Sequence, residues 1–293
     1  MVFFHHHLSK EDRMTKLRRE FIDSLQSRGL SPKTIRNYVN AVRDLSRHYG
    51  RSPCELASDE IVSYQLCMLR EKKLSAATVN LHMDAVRTFF RLMLPESRVM
   101  VDIPHVKVPK RIPVVLSRSE VQRMIELTTN LKHKSILMLL YGSGLRVGEC
   151  AALKPCHIES SRMKVRVEQG KGKKDRYTLL SNNTLLVLQD YYRRFRPKQY
   201  LFVGHRGKAL GARMMGKAVQ NAARRAGINK RVHAHVLRHC FATHLLEAGV
   251  ALPIIQQLLG HDSIKTTMIY LHVGQAQIDR VVSPLDMEEV VHA

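Results

Sequence analysis

Apolar residues recur along this chain mostly three and four positions apart, the spacing that gathers them on one face of a helix. From Asp12 to Leu94 that period is unbroken. Lys16 to Ser27 carries Leu17, Phe21, Ile22 and Leu25 on one stripe and ends at Gly29, a residue suited to a helix C-terminus. Ser31-Pro32-Lys33-Thr34 then offers a serine cap with proline in the first turn, and the helix it opens holds Ile35, Tyr38, Val39, Val42 and Leu45. A partial repeat matches Ser31, Thr34, Ala41, Val42 and Arg43 with Ser75, Thr78, Ala85, Val86 and Arg87. Two helical hairpins of one design follow from it, with Asp59 to Leu69 as the helix between them.

Val101 to Val115 breaks the pattern with Pro104, Pro109 and Pro113 while Lys107, Lys110 and Arg111 keep it basic, which predicts an extended linker. Ser117 and Glu120 have capping-box spacing and open a helix through Leu127. Ser135 to Tyr141 is an apolar helix ending in Tyr141-Gly142-Ser143-Gly144, and Leu145-Arg146-Val147-Gly148-Glu149 starts another. The period then falls to two over Met163 to Glu168 and Arg176 to Leu180, with the basic turn Gly170-Lys171-Gly172-Lys173-Lys174-Asp175 between, a β-hairpin. Helices return at Asn182 to Phe195 and Ala212 to Ala226. A further helix buries Leu237, Phe241, Leu245 and Leu246 and stops at Gly249; the next opens at Pro253 and ends at Gly260. Thr266 to Leu271 reads as a short helix. The expected fold is mainly α, in two domains: a tail over 1–11, a helical bundle over 12–100, a linker over 101–115 and a mixed α+β domain over 116–293 with a small antiparallel hairpin.

Composition changes the picture by naming a partner. The 293 residues hold 48 Lys and Arg against 25 Asp and Glu, a formal net charge of +23. Such an excess repels itself on a compact surface unless an anion neutralises it; a nucleic acid is the leading partner and an anionic membrane the alternative. No apolar run is long enough to span a bilayer, and the start Met1-Val-Phe-Phe-His-His-His lacks the features of a signal peptide. Five cysteines without paired spacing suit a reduced, cytoplasmic protein and no zinc site. Lys33, Arg36, Arg43, Arg87 and Arg91 on the helical half suit phosphate contacts; a solvated basic face on an ordinary bundle accounts for the same residues.

The candidate chemistry lies near the C-terminus. His235 and Arg238 are spaced to share a helix face, His261 follows Leu259-Gly260 at a turn, and Tyr270 sits in the last short helix. Arginine and histidine can bind a phosphate and move protons, and a tyrosine hydroxyl can attack one. Arg146 follows a double glycine where backbone can approach a ligand closely. The glycine spacing around Lys171 excludes a P-loop.

These motifs, Gly144-Leu-Arg146, Gly170-Lys171-Gly172, His235-Val-Leu-Arg238-His239 and Leu259-Gly260-His261 through Tyr270, resemble the tyrosine recombinase (phage integrase) family, with compact Xer-type and transposon-borne members nearest. The second domain resembles the family's catalytic domain over its length, and the first looks like its core-binding domain. The resemblance implies Tyr270 as nucleophile, Arg146 and Arg238 as the paired phosphate-binding arginines, Lys171 as the hairpin lysine, His235 and His261 at the remaining catalytic positions, and Glu149 as an acidic support. Lys173 and Lys174 beside Lys171 are further DNA-contact candidates.

The implied reaction cuts and rejoins DNA through a 3′-phosphotyrosyl bond, without cofactor or metal, in a tetramer on two duplexes. The arginines neutralise the phosphodiester, His235 is the expected base, His261 a phosphate ligand, and Lys171 the acid for the departing 5′ oxygen. Two other readings share much of this sequence: a type IB topoisomerase acting alone, and a DNA-binding protein without catalysis. The chain after Val273 is expected to dock on a neighbour or fold back on its own subunit.

Overall fold

The computed structural model describes residues 10–95, 103–109, 113–168 and 175–271. The expected tail at 1–11, most of the Lys171 turn with Lys171, Lys173 and Lys174, and the chain beyond Leu271 thus fall wholly or largely outside the described residues. The chain divides into two compact units, Met1–Lys110 and Arg111–Ala293.

Among the described residues the regular structure of the first unit is helical: α1 (Lys10–Gln26), α2 (Pro32–Tyr49), α3 (Ser58–Arg70) and α4 (Ala76–Met93). The internal repeat has a physical basis in its caps. Ser31 Oγ accepts from Thr34 N at 3.1 Å and lies 2.9 Å from the Thr34 hydroxyl. Ser75 and Thr78 repeat both contacts, at 3.3 and 2.8 Å. Each cap satisfies an N–H that the helix itself leaves without a partner. Phe21, Leu45, Ile61, Tyr64, Val86, Phe89 and Phe90 are buried in one core, where Phe21 and Phe89 meet edge to face at 5.2 Å.

The proline-rich segment is not free of this unit. Ile103 is buried in its core, Gln65 donates to the Pro104 carbonyl at 3.0 Å, and Asn80 both donates to and accepts from the Val106 backbone. Arg87, expected to face DNA, donates to the Ile103 carbonyl at 2.5 Å and lies 3.1 Å from the His105 ring and 3.0 Å from Asp84. That side chain is spent on structure.

The second unit runs α5 (Arg118–Glu126), α6 (Leu131–Gly142), α7 (Val147–Ala152), β1 (Ile158–Glu159), β2 (Lys164–Val167), β3 (Arg176–Leu179), α8 (Asn182–Phe195), α9 (Ala212–Arg225), α10 (Ala234–Glu247), α11 (Leu252–Leu259) and α12 (Ile264–Thr267), then a 3₁₀ turn, Met268–Tyr270. Ser117 and Glu120 form the capping box that their spacing predicts. The hairpin is present, with Lys164 opposite Leu179 and Val167 opposite Arg176. The sheet has a third strand, since β1 pairs antiparallel to β2; two residues are too few to show an alternation. Tyr270 ends a 3₁₀ turn rather than lying within an α-helix over 266–271. The core packs α6, α9 and α10 with the inner face of β2, and a satellite cluster of Phe241, Leu246, Ile255, Leu259 and Tyr270 closes under the site.

Candidate active site

Glu149 is the point from which the site is built. It lies in the first turn of α7, and its carboxylate accepts the Arg146 backbone N–H at 2.8 Å and the Arg146 guanidinium at 2.7 Å. Arg176, at the start of β3, grips the same carboxylate with two parallel bonds of 2.9 and 2.8 Å, a fork geometry that fixes both partners. Arg238 stands 3.8 Å away. Burial pushes the Glu149 pKa up, but the bonds and charge of Arg176, with those of Arg146, outweigh it and hold the carboxyl at about 2. One anion therefore lies among three cations.

Most of the remaining arginine tethering comes from one helix end. The C-terminal carbonyls of a helix lack partners within the helix and carry the negative end of its dipole. At the end of α11 the Leu258 carbonyl accepts Arg176 Nε at 2.9 Å, the Leu259 carbonyl accepts Arg238 Nη2 at 2.6 Å, and the Gly260 carbonyl accepts Arg146 Nη2 at 3.1 Å. Arg238 also donates to the Gly144 carbonyl at 2.6 Å.

Two glycines make this approach possible. Gly144 and Gly260 both have φ of +61°, a region costly to a residue with a Cβ. A Cβ on Gly144 would meet the Phe241 ring at 2.3 Å, and one on Gly260 would meet Arg176 Cδ at 2.7 Å.

Arg238 is 2% exposed. Burial, aided by the charge of Arg146, pushes its pKa down to about 9, so it remains a cation at neutral pH. His235 is exposed on the first turn of α10, yet the protein behind it and then the charge of Arg238 hold its pKa below the usual value. His261 Nδ1 lies 2.9 Å from the Thr267 hydroxyl. Tyr270 is 2% exposed. Burial raises its pKa, against the opposing pull of Arg238 and Arg146. The ring on its hydroxyl is that of His239, whose Nδ1 stands 3.0 Å away.

The described structure thus brings together Arg146, Glu149, Arg238 and Tyr270, with His235 beside the arginines, while Lys171 lies outside the described residues. Sequence reasoning gave no role to Arg176 or His239. The paired hydrogen bonds from Arg176 to Glu149 are a tertiary feature without a sequence signal; His239 could have been flagged from its place next to Arg238. Among the described residues no group of three or more His, Cys, Asp and Glu comes together as a metal site requires, and no helix is long and apolar enough to cross a membrane.

On the helical unit Lys33, Arg36, Arg43 and Arg91 are exposed, with Arg43 paired to Asp44 at 3.1 Å.

Comparison with known proteins identifies the family. Residues 114–277 match the phage integrase family, and residues 17–97 match the N-terminal SAM-like domain of phage integrases. A putative integrase/recombinase of Sinorhizobium fredii is 40% identical over 283 residues, covering 96% of this chain and 92% of the relative. Tyrosine recombinase XerA of Pyrococcus horikoshii is 33% identical, with 93% of this chain and 94% of that protein covered. Among solved structures, a XerA recombinase superposes with a TM-score of 0.55 at 28% identity over 94% of this chain and 99% of that one. XerH bound to its difH substrate shares the fold, with a TM-score of 0.71 at 18% identity over 96% of this chain and 91% of the other. The chain belongs to the phage integrase family of tyrosine recombinases, enzymes of site-specific recombination that cleave and rejoin DNA strands.

Proposed function

We propose that this recombinase acts on double-stranded DNA by attack of Tyr270 on a phosphodiester, forming a 3′-phosphotyrosyl bond and releasing a 5′ hydroxyl, with four copies working on two duplexes. The observation that carries the reading is the arginine pair: Arg146 and Arg238 are held in place by the Glu149 carboxylate and by backbone carbonyls, and both act on the Tyr270 phenol electrostatically. Donors fixed in advance avoid reorganisation as charge develops on the non-bridging oxygens, the effect that contributes most in such sites. Burial keeps Tyr270 a phenol at neutral pH, so proton removal must accompany attack. His235, exposed beside the arginines, is the base that the family resemblance implies, and His261, just beyond α11, contacts the phosphate. Lys171 supplies the proton to the 5′ oxygen, with Lys173 and Lys174 on the DNA backbone nearby.

Binding draws on the formal net charge of +23 and on the exposed Lys33, Arg36, Arg43 and Arg91. These meet phosphates and position the duplex without reading its sequence. Arg87 leaves this set because it holds the Ile103 carbonyl.

A trapping assay tests the reading. Wild type and Tyr270→Phe are incubated with nicked duplexes taken from DNA flanking the gene and resolved on a denaturing gel. A slow protein–DNA band in wild type alone is expected. An equal band from the phenylalanine variant overturns the assignment of Tyr270, and wild type that shifts the DNA but never forms the band overturns cleavage.

A further inference from the structure

The residue that contacts the Tyr270 hydroxyl is His239, and none of the roles above uses it. It lies on the second turn of α10, one turn beyond His235 and adjacent in sequence to Arg238. Its Nδ1 is 3.0 Å from the Tyr270 hydroxyl oxygen, the two ring centres are 5.7 Å apart, and the His235 ring meets it edge to face at 5.9 Å. The groups acting electrostatically on His239 are His235, His233 and Arg238, all of them able to carry positive charge. Tyr270 is therefore boxed in by the satellite core and bonded at its reactive atom by an imidazole.

A second tyrosine–histidine pair on the same helix shows the purely structural form of this contact. Tyr141 lies 2.9 Å from His244 Nδ1, and His244 Nε2 is 3.0 Å from the Leu116 carbonyl. A carbonyl can only accept, so His244 carries its proton on Nε2 and its Nδ1 accepts from Tyr141. That pair is anchored to a backbone carbonyl, whereas His239 is the neighbour in sequence of Arg238, the arginine that would hold the phosphate.

We propose that His239, rather than the His235 implied by the sequence resemblance, accepts the proton of Tyr270 when the nucleophile attacks, and that the same Nδ1 holds the phenol in place beforehand. The inference rests on Tyr270 being the nucleophile. In the forward step the Tyr270 O–H bond breaks and its proton passes to His239 Nδ1. The phenol oxygen bonds phosphorus, the bond from phosphorus to the 5′ oxygen breaks, and Lys171 protonates that oxygen. Rejoining runs the same transfers backwards, and His239 returns the proton to the phenol. Burial above all, reinforced by His235, pushes the His239 pKa down to about 4. In the free protein the ring is thus neutral, a fair acceptor of a hydrogen bond and a poor acceptor of a whole proton. A phosphate entering beside Arg238 brings negative charge, which favours the imidazolium. Substrate arrival itself would make the base competent.

Two experiments on the full chain test this. In the absence of DNA, long-range proton–nitrogen NMR of the imidazoles should show His239 neutral with Nδ1 unprotonated. Its Nδ1 signal should move in Tyr270→Phe; an unmoved signal overturns the hydrogen bond. With the nicked duplexes above, single-turnover cleavage is followed against pH for wild type, His239→Asn and His239→Phe. The phenylalanine variant should cleave roughly a hundredfold or more slowly, the usual contribution of a positioned base, while shifting DNA as wild type does. If that variant unfolds, the asparagine variant decides. Its amide oxygen can replace Nδ1 as an acceptor but cannot keep the proton, so its rate should rise continuously with pH toward the tyrosine range where wild type levels off. A wild-type pH profile in His239→Asn overturns the proposal. An adduct formed by Tyr270→Phe removes the nucleophile reading instead, so the two failures are told apart.

Discussion

Replacing Glu149 by glutamine tests the electrostatic design of the site most directly. The carboxylate side chain is 8% exposed and accepts four hydrogen bonds, two from Arg176 and two from Arg146. Its pKa falls from 4.5 to about 2, and every tenfold change in proton affinity corresponds to about 1.4 kcal/mol, so ionised Glu149 contributes on the order of 3 kcal/mol. Removing one partner of a buried ion pair costs a similar amount, about 3–5 kcal/mol. The sign follows from the depressed pKa: this stability is complete above about 4.5 and is lost as pH falls towards 2. At about 2–4 °C per kcal/mol for a domain of this size, Glu149→Gln should lower the melting temperature of the catalytic unit by roughly 6–12 °C at pH 7. Calorimetry at a series of pH values is the assay. The gap between wild type and variant should close between pH 4.5 and 2. A difference below about 2 °C at pH 7, or a gap unchanged down to pH 3, refutes the claim that the carboxylate offsets the repulsion of the surrounding guanidiniums.

Three further outcomes follow from other parts of the molecule. Arg87→Ala should destabilise the helical unit by about 1–2 kcal/mol through the lost Ile103 carbonyl bond and leave the salt dependence of DNA binding unchanged, whereas Arg36→Ala should reduce the slope of log K against log salt by about 0.9; equal loss of slope in both places Arg87 on the DNA after all. Gly144→Ala should cost at least about 2 kcal/mol, from positive φ and from the Cβ driven into Phe241, and a melting point like wild type would refute the close approach. The His239 pKa is lowered to about 4, so the fold disfavours its protonation, and stability should fall as pH drops from the unfolded value near 6.5 towards 4. His239→Asn should show a shallower fall over that window, and an equally steep one counts against the burial of the ring.

Much of this architecture was legible because local rules and the fold agreed. Ser31 and Ser75 cap their helices as their sequence contexts demand, and Gly144 and Gly260 mark two places where a side chain would collide. Strand β3 shows where such reading fails. By apolar content Tyr177 and Leu179 belong inside and Arg176 and Thr178 outside. The structure has the reverse, with Tyr177 and Leu179 exposed and Thr178 buried. The inversion is driven by polar bonds: Thr178 donates to the Ser143 carbonyl at 2.8 Å, and Arg176 reaches Glu149. A one-residue choice of face turns the whole strand, and the contacts that decide it come from residues far away in sequence. The same limit hid His239, whose helix position was plain but whose neighbour Tyr270 arrives only through the packing of α11 and the 3₁₀ turn.

The end of α11 has a mechanical consequence. Arg146, Arg176 and Arg238 come from three separate elements, yet all three are moored to successive carbonyls of one helix terminus. Sliding that helix along its axis by a single residue's rise, about 1.5 Å, would slacken every mooring at once. The chain that leaves this terminus reaches Tyr270 through α12 and the short turn after it. The proposed grip on the phosphate and the proposed nucleophile would therefore depend on one helix end, so displacing α11 would disturb the three arginine bonds and the chain leading to Tyr270 together.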